Sequence, residues 1–232
     1  FVGLGKMGFH MSGYLSKKRD IDLSIFNRTK KKEEIWKKIF SAEQYNFNSQ
    51  KKFDFVITCL KDDKAVNKFF EKFMKTNNYH KNTIVIDHST ISLDQVFKLK
   101  KIFKNKLKFL DAPISGGEEG AKKGSLTVMI GGDKKIFEKS KKIISFYSKN
   151  ITYIGKSGMG QLAKFTNQIL ICGILYSISE AYLFSKKNKI EQYKIYDALK
   201  NGAAGSWQFQ NRYITIVKNK FNFGFSTELM VK

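Results

Sequence analysis

One proline, three arginines, three histidines and two cysteines stand in a chain of 232 residues, and each of the last three scarcities argues against a class of protein. Cys59 stands at the end of an apolar strand pattern and Cys172 within an apolar helical one, too few and too far inside their elements for a disulfide scaffold. A reducing cytoplasm fits that usage. With only His10, His80 and His88, no cysteine pair and no carboxylates at ligand spacing, no metal site is expected. The formal charge of +23 is almost wholly lysine, because arginine occurs only at Arg19, Arg28 and Arg212. Base and phosphate recognition leans on the guanidinium fork, and these lysines are spread along the whole chain, so no specific nucleic-acid partner is expected. No charged-then-apolar signal segment stands at the front. The longest apolar run, residues 169–184, is interrupted by Ser177, Ser179 and Glu180. It reads as a helix buried between subunits or domains, which makes a homodimer or homotetramer the expectation and a membrane span not.

What the chain does have is enough apolar residue, 42%, for one large core or two modest ones. Through residue 154, β-rich runs alternate with lysine-decorated helical patterns. The spacing predicts strands at 1–4, 23–27, 53–60, 83–87, 108–111, 126–130 and 152–154, with helices at 7–18, 30–40, 64–75, 93–105 and 134–147 between them. Alternation of this kind predicts an α/β fold with a mostly parallel, doubly wound sheet. From Gly158 onward only helices are expected: one through residue 186, one near 190–201 and one after Ser206. The domains are therefore read as 1–156, a dinucleotide-binding domain, and 157–232, an all-α domain. The chain opens in what reads as mid-strand and stops without winding down. Sequence missing at the front, and more at the back, is expected.

Gly3-Leu4-Gly5-Lys6-Met7-Gly8 comes straight off a strand and opens a helix, the context in which a GxGxxG pattern carries meaning. The first glycine permits the tight turn, the second lets backbone approach a pyrophosphate, and the third lets helix and strand close up. Cofactor choice is read about 20 residues on, at the end of the second strand. There the chain has Asn27-Arg28-Thr29, with a guanidinium able to grip a 2′-phosphate and no acidic residue in the place where an NAD enzyme usually carries one. NADP is favoured over NAD. Arg28 could alternatively be a solvated surface residue.

Asp87-His88-Ser89 invites a triad reading, which fails because adjacent strand residues point to opposite faces. Ser89 and Thr90 instead sit at a strand's C-terminal end, where doubly wound folds bind ligands. Glu118 and Glu119 read as a solvated turn. Ser115-Gly116-Gly117 can present successive N–H groups and a hydroxyl to a carboxylate, or it can be a structural strand-to-helix turn; the residues alone leave both open. Lys164 weighs on that choice. It lies on an apolar helix one turn before Asn167 and Gln168, so the ammonium and an amide share a face. A lysine so placed is usually a snorkelling surface residue. Beside an anion cup and a nicotinamide cofactor it becomes a sensible general acid, since desolvation draws its pKa toward the working range.

Residues 3–11, 111–132, 158–168 and 225–232 together resemble the β-hydroxyacid dehydrogenases, the group that contains 3-hydroxyisobutyrate dehydrogenase, tartronate semialdehyde reductase and the glyoxylate/succinic semialdehyde reductases. The resemblance implies a Rossmann domain, a helical domain incomplete at its C-terminus, and an active site in the cleft between them. It implies Lys164 as the catalytic lysine, with Asn167 and Gln168 orienting the substrate and Ser115, Gly116 and Gly117 holding its carboxylate. Leu60, Thr90 and Lys232 match positions that line the cofactor, beside Gly3, Leu4, Gly5, Lys6, Met7, Gly8, Asn27, Arg28 and Thr29; Phe225 matches one near the substrate. The implied reaction is hydride transfer between NADPH and a small aldehyde acid. Lys61 departs from a proline common in the family, and His88 from an apolar residue. 6-Phosphogluconate dehydrogenase shares the glycine turn but pairs its lysine with a His-Asn step. The Asn-Gln pair resembles the tartronate semialdehyde type and the Asn-Arg-Thr segment the glyoxylate/succinic semialdehyde type, so the aldehyde stays open. A non-catalytic NADP-binding or nucleic-acid-associated module of the same fold would be expected to have lost Lys164.

Overall fold

The computed structural model describes residues 1–221 and divides into two compact units, Phe1–Lys164 and Phe165–Lys232.

In the first unit, β3 (Phe53–Thr58), β4 (Tyr79–Asp87) and β5 (Lys108–Asp111) run parallel in that order. Their side chains alternate between two cores. Ile57, Ile84, Ile86 and Leu110 face one, with Met11 and Leu15 of α1 (Gly8–Ser16) and Phe137 and Ile144 of α6 (Lys134–Ser145). Val56, Val85 and Phe109 face the other, with Phe69, Phe70 and Phe73 of α3 (Asp63–Phe73) and Val96 and Leu99 of α4 (Leu93–Phe103). Period-two burial on both faces is the signature of a doubly wound sheet. The helices start where side chains cap them: Asp62 accepts from the Ala65 N–H, Ser92 from that of Gln95, and Asp133 from those of Lys135 and Ile136.

Beyond β5 the sheet turns mixed. β7 (Leu126–Gly132) is antiparallel to β5 and to β6 (Ile114–Ser115), while β8 (Ser148–Gly155) is parallel to β7. The link from β6 to β7 holds only the short helix α5 (Gly117–Lys122), which suffices for an antiparallel return but not for a parallel crossover. The expected first strand is reduced to bridges from Val2 to Phe26 and Thr58, because Gly3 at φ +98° turns the chain away at once. A separate parallel pair joins β1 (Ser24–Ile25) and β2 (Glu43–Gln44), with α2 (Lys30–Lys37) between them. The two-residue strands β2 and β6, and α5, are absent from the sequence reading. Glu118 and Glu119 accordingly sit in a helix rather than a turn, each paired with Lys122 at 3.2 and 3.3 Å.

The second unit is helical in its described part. It takes up the rest of α7 (Met159–Lys187), then α8 (Gln192–Leu199) and α9 (Trp207–Val217), around a small core of Ile178, Phe209 and Tyr213. The α7 helix outruns the apolar stretch at both ends. Ser177 and Ser179 do not break it, since their hydroxyls donate back to the carbonyls of Gly173 and Leu175. By length and composition alone α7 is long and apolar enough to cross a membrane, a test that the core helix of a soluble protein also passes. Its apolar side chains Ile169, Leu170, Tyr176, Leu183 and Phe184 are exposed rather than buried in this chain, as is Cys172.

Candidate active site

The glycine loop divides its work as its spacing requires. A side chain at Gly3 would strike the Cys59 carbonyl at 2.3 Å, and one at Gly8 would strike the carbonyl of Gly3. At Gly5 it would project into open space, the room that a pyrophosphate needs against bare backbone. No acidic residue stands in the first turn of α1 to oppose an anion at its positive end. Leu4 is buried and Lys6 exposed. The cradle fits a dinucleotide.

At the far end of that cradle Asn27 is fixed on three sides. Its Oδ1 accepts from the Leu4 N–H at 3.0 Å, its Nδ2 donates to the Thr29 carbonyl at 2.9 Å, and its N–H donates to Glu33 Oε1 at 2.5 Å. Glu33, on α2, is 1% exposed and is also held by Lys30 at 3.2 Å and by the Gln44 amide. An acid is therefore present under this loop after all, turned inward and paired. Sequence reasoning missed it because it lies six positions beyond the strand end. Arg28 and Thr29 are exposed.

The strand ends supply the next layer. Ser89 Oγ accepts from the Leu60 N–H at 2.9 Å, which ties the loop after β3 to the loop after β4. Asp87 Oδ1 accepts from Thr58 Oγ1 at 2.7 Å and from the Ser89 N–H at 3.0 Å, while Oδ2 is buried without a partner. Burial pushes the Asp87 carboxyl up to about 6 and, with Asp87 nearby, the Cys59 thiol up to about 12. His88 points away from both triad neighbours: Nδ1 meets the Ala112 carbonyl at 2.6 Å and Nε2 the Tyr147 hydroxyl at 2.9 Å. Thr90 is half-buried beside Ser89.

Ser115 ends β6 opposite Thr127, and Gly116 and Gly117 follow at φ +128° and +62°, values that a side chain rarely adopts. The helix they open packs on α1, with Tyr14 donating to the Lys122 carbonyl at 2.7 Å. The glycine turn and the helix that opens from the glycine loop are thus braced against each other.

Asp111, at the end of β5, accepts from the N–H groups of Gly158 at 2.8 Å and Gln161 at 3.1 Å, at the start of α7. A carboxylate there satisfies orphan helix donors. The approach is so close that a side chain at Gly160 would lie 2.6 Å from the carbonyls of Asp111 and Met129. Gln161, fully buried, bridges the Ser89 carbonyl (2.8 Å) and the Ile91 N–H (3.2 Å). One turn further along, Lys164 is 7% exposed, and its Nζ makes no hydrogen bond or ion pair with a described residue. Burial draws its ammonium down to about 8. Asn167 and Gln168 are half-buried in the second unit, where the Asn167 amide donates to Gln168 Oε1 at 3.0 Å. Phe225 and Lys232 lie outside the described residues. Among the described residues no group of three His, Cys, Asp or Glu could hold a metal ion.

Residues 1–155 match the family described as the NAD binding domain of 6-phosphogluconate dehydrogenase. Residues 158–232 match the one described as NAD-binding of NADP-dependent 3-hydroxyisobutyrate dehydrogenase. An uncharacterized oxidoreductase of Shewanella frigidimarina is 36% identical over the whole chain, which spans 81% of that protein. The mitochondrial 3-hydroxyisobutyrate dehydrogenase of Drosophila melanogaster is 32% identical over 89% of the chain and 64% of its own length. Among solved structures, Mycobacterium tuberculosis 3-hydroxyisobutyrate dehydrogenase with L-serine superposes with a TM-score of 0.85 at 26% identity, over 99% of this chain and 81% of that one. The chain belongs to the β-hydroxyacid dehydrogenase family of NAD(P)-dependent oxidoreductases.

Proposed function

We propose that this chain interconverts a small aldehyde acid and its hydroxy acid with NADP, and that Lys164 moves the proton. The observation that carries the reading is a nearly buried ammonium without a partner among the described residues, on a helix whose first turn is anchored to a strand end beside the dinucleotide cradle. A group so placed is costly to folding and useful to catalysis. Gly3 to Gly8 would hold the pyrophosphate and Asn27, Arg28 and Thr29 the 2′-phosphorylated ribose, with Leu60 and Thr90 along the remainder. When bound, the nicotinamide supplies or accepts the hydride. Ser115, Gly116 and Gly117 would hold the substrate carboxylate through N–H groups and a hydroxyl, and Asn167 and Gln168 would orient the reacting end. In reduction Lys164 Nζ donates a proton to the carbonyl oxygen as it becomes an alcohol; in oxidation the neutral amine takes that proton back. Phe225 and Lys232, outside the described residues, would serve the substrate and the cofactor in the same scheme.

The domain limits that go with this reading are 1–156 and 157–232. The exposed apolar side chains of α7 support a homodimer or homotetramer, and two unpaired cysteines support a cytoplasmic location. The test is NADPH oxidation with glyoxylate, succinic semialdehyde, tartronate semialdehyde and methylmalonate semialdehyde, and NADP reduction with 6-phosphogluconate as the rival. Turnover of one aldehyde acid that disappears in Lys164→Ala supports the reading. NADPH binding without turnover of any of them, or activity indifferent to Lys164→Ala, ends it.

A further inference from the structure

We infer that Gln161 is a positioning residue for Lys164: its buried amide sets the height and rotation of the first turn of α7 against the loop that holds Thr90. The inference rests on the lysine chemistry proposed above and concerns a residue to which that chemistry assigns nothing.

Gln161 is fully buried, a costly place for an amide unless both ends are bonded. Both are. Nε2 donates to the Ser89 carbonyl at 2.8 Å and Oε1 accepts from the Ile91 N–H at 3.2 Å, so the side chain clasps the main chain on either side of Thr90. Only this orientation of the amide works, because a flipped one would set NH2 against N–H and oxygen against oxygen. The loop is not free to follow the helix, since Ser89 Oγ is engaged by the Leu60 N–H and the Ser89 N–H by Asp87. The helix is not free either. The Gln161 N–H and that of Gly158 are held by Asp111, and Gly160 leaves no space between the helix and the carbonyls of Asp111 and Met129.

Lys164 stands three positions after Gln161, on the same flank of the helix. A Leu or Met at position 161 would fill the volume as well. What it would lose is direction, since apolar contact does not fix a helix in rotation while two hydrogen bonds of opposite sense do. Each residue of helix advances about 1.5 Å and turns about 100°, and a misplacement of about 1 Å at a reacting group can cost about a hundredfold in rate. The amide therefore acts on turnover through the lysine, not through substrate or cofactor contact.

The test uses Gln161→Met and Gln161→Glu in the whole chain, with trace acetylation of all lysines read by peptide mass spectrometry. In Gln161→Met, acetylation of Lys164 should change at least threefold while the other lysines keep their rates. NADPH affinity and KM should stay within about threefold, and kcat should fall at least tenfold. In Gln161→Glu, kcat relative to the parent should rise on acidification, as a protonated carboxyl again offers a donor to Ser89 and an acceptor to Ile91. Unchanged Lys164 acetylation, or a loss lying wholly in NADPH affinity, overturns the inference. Should Gln161→Met fail to fold, Gln161→Glu decides: no recovery toward acid pH overturns it. Lys164→Ala separates the two layers, because parental kcat in that variant sinks the lysine chemistry itself, whereas a lysine-dependent enzyme indifferent to position 161 sinks only this inference.

Discussion

His88 and Tyr147 meet across the top of the β4 strand, imidazole Nε2 to hydroxyl at 2.9 Å, with Nδ1 on the Ala112 carbonyl at 2.6 Å. The hydroxyl donates and the Nδ1–H donates, so the ring is neutral, and burial draws its pKa down to about 4. A histidine whose folded value lies below its unfolded one contributes stability that is complete above about pH 6.5 and is lost as pH falls toward 4. Urea unfolding at pH 7 and pH 4.5 should show His88→Met losing less stability on acidification than the parent, by up to about 3 kcal/mol. Asp87 next door titrates with the opposite sign, its raised carboxyl favouring low pH, and it contributes to both proteins alike.

With Lys164 in the role proposed above, the two directions should have opposite pH limbs. Reduction needs the ammonium and should fall as pH rises through about 8, while oxidation needs the free amine and should climb to a plateau above that pH. Lys164→Ala should lower kcat by about a hundredfold to ten-thousandfold in both directions. Initial rates from pH 6 to 10 decide it; limbs of the same sign in both directions would contradict the assignment.

Arg28 is exposed on the loop that Asn27 and Glu33 hold. Arg28→Ala should weaken NADPH binding about three- to tenfold, less than a buried guanidinium–phosphate contact because solvent competes, and leave NADH binding unchanged. Fluorescence titration with both cofactors is the measurement.

Two glycines should respond in opposite ways. Gly160→Ala forces a methyl group to within 2.6 Å of two carbonyl oxygens and should cost about 3 kcal/mol or more in a thermal melt. Gly5→Ala meets nothing among the described residues and should leave the melting temperature within a few degrees while impairing NADPH binding.

Much of this architecture is legible from local pattern. Strand β5 coincides with its expected limits, its Phe109 and Leu110 buried in opposite cores, and the glycine loop is legible because each glycine answers a separate geometric demand. What escaped notice depends on partners distant in sequence. Gln161 and Ser89 are 72 positions apart, and nothing around either announces the other. Glu33 is bonded to Asn27 six positions before it and to Gln44 eleven after it, so its local sequence does not announce its burial. The helix α5 hides behind glycines and adjacent glutamates, a composition that by itself looks like a turn. The two-residue strands β2 and β6 are too short to show any period.

The fit of Gly160 against two strand carbonyls also bears on motion. A segment with no clearance cannot breathe alone, so the amides of Gly158 and Gln161 that end on Asp111 should exchange with deuterium only when the surrounding sheet opens as a cooperative unit. The opening turn of this helix would then be among the slowest protons in the protein to be replaced.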